Sequence, residues 1–206
     1  VFTIGSNAGD FGYTRNASDV LNNLADHRLQ GVEINNDGTK LFLIFMDSAS
    51  DTVNGRLYEF NLSTPYDVST LSIVTSAGIA LGTATQTGVD NPAGMRFSPN
   101  GKRLIITSHH HLGIQRVLQI SLSKGFDTSS FTIDGSRILG GAGLEMSETN
   151  TQTRGAAFSG AGLKVYIGSD RDQNNDEVYE YDLVCPFNII DGCLLYTSDA
   201  ADEVDG

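Results

Sequence analysis

The chain has 206 residues, 39% of them hydrophobic, with 23 glycines, no tryptophan and a formal net charge of -12. Only 13 Lys and Arg stand against 25 Asp and Glu, so the clustered basic surface that phosphate backbones require is missing, which excludes nucleic acid and anionic membranes as partners. No run of 18 apolar residues occurs, so no membrane insertion is expected, and the glycine-rich, weakly charged composition predicts an all-β chain of short strands and turns.

Residues 1–30 come first and read as the end of one repeat and its link to the next, because Val1-Phe-Thr-Ile-Gly-Ser matches the later Phe131-Thr-Ile-Asp-Gly-Ser. At Gly31 begins a segment that the chain writes three times. Gly31-Val-Glu-Ile-Asn-Asn-Asp-Gly-Thr-Lys-Leu-Phe-Leu-Ile returns as Gly94-Met-Arg-Phe-Ser-Pro-Asn-Gly-Lys-Arg-Leu-Ile-Ile-Thr and as Gly155-Ala-Ala-Phe-Ser-Gly-Ala-Gly-Leu-Lys-Val-Tyr-Ile-Gly, with starts 63 and 61 residues apart. Such a period marks a repeat architecture whose unit cannot bury its own faces alone.

The first repeat, residues 31–78, predicts strands from Gly31 to Asn35, Lys40 to Met46, Arg56 to Leu62 and Leu71 to Thr75. Asp37-Gly38 supplies the positive φ of a tight hairpin between the first two. The second, residues 94–140, predicts Met95 to Ser98, Arg103 to Ser108, Arg116 to Leu122 and Phe131 to Asp134. A turn register recurs between them, since Leu62-Ser63 with Tyr66-Asp67 and Ser69 returns as Leu122-Ser123 with Phe126-Asp127 and Ser129. The third, residues 155–192, predicts Ala156 to Ser159, Lys164 to Gly168 and Glu177 to Leu183, and stops before a fourth strand. Its hairpin, Gly160-Ala-Gly162, departs from the Pro-Asp-Gly or Pro-Asn-Gly that the pattern leads one to expect there.

From Cys193 to Gly206 the repeat is lost, and Cys193-Leu-Leu-Tyr-Thr-Ser-Asp-Ala-Ala-Asp-Glu203 looks like a translated sequencing adapter. Residues 193–206 are therefore read as a non-native tail. That leaves Cys185 alone, with no disulfide or cysteine-based metal site expected.

The pattern Gly-x-x-Phe-Ser-x-(Asp/Asn)-Gly-x-(Lys/Arg)-Leu-x-Ile, with the Leu-Ser-Thr-Pro-Tyr-Asp-Val-Ser-Thr turn from Leu62 to Thr70, resembles the β-propeller repeats of secreted or virion-associated proteins. More loosely it is similar to WD-like, YVTN-type and lactonase-like propellers. The resemblance covers residues 1–192 and implies about three four-stranded antiparallel meander blades in an incomplete ring. It further implies an open fan with two uncovered faces, an extracellular or virion-associated setting, and as partners a protein or glycan ligand and the remaining blades of the parent chain.

In a meander blade the loop between second and third strands and the link to the next blade emerge on one rim. Asp47 and Asp51, His109 and His111, and Asp90 and Asn91 fall on it and are the candidate ligand-binding residues. Asp170, Asp172, Asn174 and Asp176 place oxygen donors at every second position, as a calcium loop does. Asn175 stands where glycine is wanted and Tyr181 where a bidentate Glu is wanted, so a solvated loop is the plainer reading and calcium the cofactor it suggests. His109 and His111 project to one side of an extended chain at a spacing that suits zinc, with His27 or Asp47 needed to complete a site; an exposed polar loop is again plainer.

Glu33 and Arg96 occupy equivalent first-strand positions and are expected to pair near the ring axis. Tyr58, Tyr179, Tyr181, Phe97 and Phe158 read as packing residues. No nucleophile elbow, His-Glu-x-x-His or phosphate-binding glycine loop occurs, which favours a non-catalytic interaction or scaffold module. The alternative is a metal-dependent hydrolase or lactonase of propeller type that uses Glu33, Asp90, Asn91 and His109.

Overall fold

Each repeat is folded by the same pair of turns. In the hairpin after the first strand, Gly38, Gly101 and Gly162 take φ of 73, 67 and 70°. Their N–H groups donate to the carbonyls of Asn35, Ser98 and Ser159 at 3.0, 2.8 and 2.8 Å. In the turn after the third strand, Tyr66, Phe126 and Phe187 also take positive φ, and their N–H groups donate to the carbonyls of Gly38, Gly101 and Gly162 at 2.8, 3.0 and 2.8 Å. The aromatic ring then lies on the glycine: a Cβ at Gly101 would stand 2.3 Å from Phe126. Only glycine fits both the conformation and the space. This is why Gly160-Ala-Gly162, although it lacks the Pro-Asn-Gly of the second copy, closes as the other two hairpins do.

The next residues fix the exit from the turn. Asp67 and Asp127 accept from the N–H of Ser69 and Ser129 at 2.9 and 3.1 Å, capping short 3-10 turns at Val68–Thr70 and Thr128–Ser130. The Ser69 and Ser129 hydroxyls also donate to these carboxyls and, as the leading cause, hold both below the usual carboxylate range.

The computed structural model describes residues 27–47, 55–74, 78–81, 92–108, 115–139, 151–171, 177–190 and 193–195. The first sheet holds β1 (His27–Ile34), β2 (Lys40–Asp47), β3 (Arg56–Leu62), β4 (Leu71–Ile73) and β5 (Ile79–Ala80). The second holds β6 (Pro92–Phe97), β7 (Arg103–Ser108), β8 (Gln115–Leu122) and β9 (Phe131–Leu139). The third holds β10 (Thr151–Phe158), β11 (Lys164–Arg171), β12 (Glu177–Leu183) and β13 (Leu194–Leu195). All pairs are antiparallel and follow chain order, except that β4 and β5 share the outer edge of β3. The chain is all-β, an incomplete propeller of meander sheets with no closed barrel.

The strands differ from the sequence expectation at their ends. β1 and β10 start four residues, and β6 two residues, before the repeat glycines, with register shifts between Leu29 and Gly31, Pro92 and Gly94, and Thr153 and Gly155. A bulge leaves one residue unpaired, and the repeat is recognisable only beyond it. β9 continues to Leu139 because Gly135, at φ 146°, takes up a register shift between Gln119 and Ile120. In the third sheet Leu194–Leu195 takes the fourth position against Asp182 and Leu183. Val184 N–H donates to Cys193 O at 2.7 Å, which brings Cys193 beside Cys185 with Cα atoms 5.0 Å apart in a disulfide. The expectation of a lone Cys185 is corrected accordingly.

The sheets stand side by side with β1 next to β6 and β6 next to β10. They run in the same sense. Asn36 Nδ2 donates to Pro99 O at 2.6 Å at the hairpin end, and Thr153 Oγ1 donates to Ser108 O at the other. Phe42, Ile44 and Leu57 pack on Met95, Leu104 and Ile106 between the first two sheets. Ile105 and Val117 pack on Val165, Ile167 and Leu183 between the second and third. Strands buried on both faces read as unbroken apolar runs, and residues 41–45 of β2 are all buried. Tyr58, Tyr181 and Phe97 are buried as expected.

The far face of the first sheet is buried too: Leu41, Leu43, Phe45, Tyr58, Phe60 and Leu62 are at most 6% exposed. The far face of the third is open, with Val178 73% exposed where the equivalent Leu57 and Val117 are 1% exposed. Two open faces were expected. Among the described residues there is one.

Candidate functional site

Cross-strand register locates the rim. His27 lies opposite Asp47, Pro92 opposite Ser108, and Thr151 opposite Arg171, closing one end of each sheet. Ala80 opposite Arg56 and Leu139 opposite Gln115 lie at that same end. The connections between second and third strands and the links between sheets therefore all leave from it. Asp47 is the last residue of β2, cross-strand from His27, the other residue considered for completing a site with His109 and His111. Asp170 sits within β11 opposite Gln152. Asp51, Asp90, Asn91, His109, His111, Asp172, Asn174 and Asp176 lie outside the described residues.

The Glu33 and Arg96 pair forms at the inner edge. Ser98 N–H donates to Arg103 O, so by the alternation of an antiparallel ladder the Phe97 N–H points away from β7. Glu33 Oε2 crosses from β1 to accept that N–H at 3.2 Å, and Arg96 Nη1 stands 3.6 Å from Oε1. Burial nevertheless dominates and pushes the Glu33 carboxyl up to about 7, against the opposing pull of Arg96 and the Phe97 N–H.

A pH dependence follows from its sign. The folded state holds the Glu33 proton more tightly than the unfolded state, so the contribution of this group to stability is full below about pH 4.5 and is lost as pH rises toward 7. The expected loss is on the order of 1 kcal/mol, below the full shift because the carboxyl still reaches solvent. Asp37, Asp67 and Asp127 are held low and act at lower pH. Urea denaturation at pH 5 and pH 7.5 should show this slope, and Glu33→Gln should flatten it; an unchanged slope in the variant contradicts the assignment.

Sequence reasoning missed a second polar set, which lies between sheets. Glu59, on β3, is 3% exposed. Its Oε1 accepts from Lys40 Nζ, while Oε2 accepts Thr128 N–H at 2.8 Å and Thr128 Oγ1–H at 2.6 Å from the next sheet's turn. Lys40 Nζ also donates to Phe126 O at 2.8 Å. A buried carboxylate is thus both charge-paired and hydrogen-bonded, the condition under which burial is tolerated.

One sheet on, Gln119 takes the place of Glu59. Its Oε1 accepts Ile189 N–H at 2.8 Å, and its Nε2 donates to Asn188 Oδ1 at 3.0 Å and Asp134 Oδ2 at 2.8 Å. Arg103, at the Lys40 position, holds Asp134 at 3.0 Å. In the third sheet Lys164 and Glu180 restore the Lys and Glu pair, half-exposed, with Asp182 2.8 Å from Lys164. Hydrogen bonds from that ammonium to Asp182 and then Glu180 hold Lys164 above the usual lysine range. The signal was in the sequence, as Lys40 with Glu59, Arg103 with Gln119 and Lys164 with Glu180, but only the fold shows what the pair grips.

No protein-family model and no curated protein matches the sequence. Among solved structures, the chain is similar to the crystal structure of a candidate 6-phosphogluconolactonase from Bacteroides uniformis, at 16% sequence identity and a TM-score of 0.49. The match covers 88% of this chain and 43% of that one, so this chain spans less than half of that protein's length.

Proposed function

We propose that the chain is part of a non-catalytic interaction propeller, extracellular or virion-associated, that binds a protein or glycan through its loop rim. The observation that supports this most is the common origin of the loops: each connection between second and third strands, and each link between sheets, leaves from the same end of aligned sheets. On this reading Asp47, Asp51, Asp90, Asn91, His109 and His111 are the ligand-binding residues, presented by a frame whose buried Glu59 and Gln119 are occupied in holding sheets together. A rigid frame carrying polar loops suits recognition. Calcium on Asp170, Asp172, Asn174 and Asp176 would order one of those loops.

The test is binding of the full chain to an immobilised panel of sialylated, galactosylated and mannosylated glycans. A chain with His109→Ala and Asp51→Ala together should lose about tenfold or more in affinity, as for central contact residues, while Asn36→Ala at the hairpin end should not. Equal loss from both variants, or none from the first, rejects the rim. A second reading, lactone or ester hydrolysis, draws support from Glu33, whose carboxyl titrates near neutrality beside Arg96. Turnover of a simple lactone that Glu33→Gln abolishes would replace the binding reading.

A further inference from the structure

The geometry points to the open face of the third sheet as a docking surface for a further β-sheet of this repeat, in the same polypeptide, whose turn after its third strand carries threonine or serine where Thr128 stands. This goes beyond the rim reading and does not depend on it.

Both interfaces between the described sheets join successive repeats, and each is keyed by the residue pair at the Lys40 and Glu59 positions. Glu59 takes the N–H and hydroxyl of Thr128. Gln119 takes the N–H of Ile189 and the Asn188 side chain, with no hydroxyl. The third sheet returns to the first pattern. Tyr166 lies opposite Glu180 and Lys164 opposite Asp182, in the register of Phe42 opposite Glu59 and Lys40 opposite Asn61. A carboxylate at this position accepts and cannot donate, so it selects a turn that offers an N–H and an O–H.

Two further observations agree. Val178 is 73% exposed, although Leu57 and Val117 at its position are covered. A Cβ at Gly94 would meet the backbone of β10, with Arg154 O at 2.6 Å, and one at Gly31 would stand 3.6 Å from Gly94 Cα. At Gly155 it would meet nothing within 4 Å. Among the described residues, the space filled twice by the next innermost strand is not filled the third time. A second copy of this chain is a poorer occupant, because its first sheet has Val68 at the Thr128 position and its outer face is already buried.

The experiment uses the full chain with Val178→Cys, alone and extended beyond Gly206 by a copy of its own residues 82–139, which supplies Thr128. The rate of thiol modification is the readout. Docking should slow modification roughly tenfold or more, as cooperative burial does, and Thr128→Val in the added copy or Glu180→Ala in the face should restore much of the rate. An unchanged rate overturns the proposal. So does proteolysis of the added copy as an unfolded segment, since a lone sheet becomes stable only by packing. Protection of the unextended chain that grows with its concentration overturns it in favour of a second copy.

Discussion

Replacing Glu59 by alanine should destabilise the chain by about 3–5 kcal/mol, the cost of removing one partner from a buried charge pair. The loss has three parts. Lys40 keeps its charge with only the Phe126 carbonyl as a described acceptor. The Thr128 N–H and hydroxyl lose their common acceptor in a site where Thr128 is 3% exposed. The first sheet also loses its polar grip on the turn of the second. The same substitution at Glu180 removes a carboxylate paired with the same residue type in the same cross-strand register, but with the pair 38% and 49% exposed. There the cost should stay under about 1 kcal/mol. Urea midpoints with unchanged slopes measure both, and equal effects would mean that Glu59 does not work across an interface.

Gly94→Ala should cost roughly 2–3 kcal/mol, in the range of overpacking a rigid core. The added Cβ would lie 2.6 Å from Arg154 O and 3.0 Å from Gly155 Cα. Both are backbone atoms of β10 and cannot turn aside, so the inner strands would have to separate. Gly155→Ala provides the contrast. It meets nothing within 4 Å and has no positive φ, so it should be neutral or stabilising by about 0.5 kcal/mol through the unfolded chain. Thermal unfolding of the two variants separates them, and a Gly155→Ala loss as large as that of Gly94→Ala would contradict the order of the inner strands.

Much of the fold was legible because the repeat writes it locally. The hairpin glycines, the aromatic-Asp-x-Ser turns and the strands between them depend on φ preferences and short hydrogen bonds, which sequence spacing reports. Less legible was whatever depends on a neighbour. The upstream halves of β1, β6 and β10 lie behind bulges, where repeat similarity stops, and the passage of β9 through Gly135 depends on pairing with β8. Glu33 with Arg96 was anticipated because equivalent positions on adjacent strands imply proximity. Glu59 with Thr128 was not, since 69 residues separate them and no single repeat contains the contact. For the rim, the register shows the end of the sheets from which the loops leave and places Asp47 and Asp170 on strands there.

The central claim is that successive repeats stack as sheets, each keyed into the turn of the next. A double-mutant cycle between Glu59→Ala and Thr128→Val tests it most directly. The two residues touch only if the first and second sheets pack as described, and the cycle isolates that contact from the cost of each change alone. A coupling energy of about 1–3 kcal/mol is expected for a charged hydrogen bond in a buried site. Additive effects, with coupling near zero, would show that the sheets are not joined there.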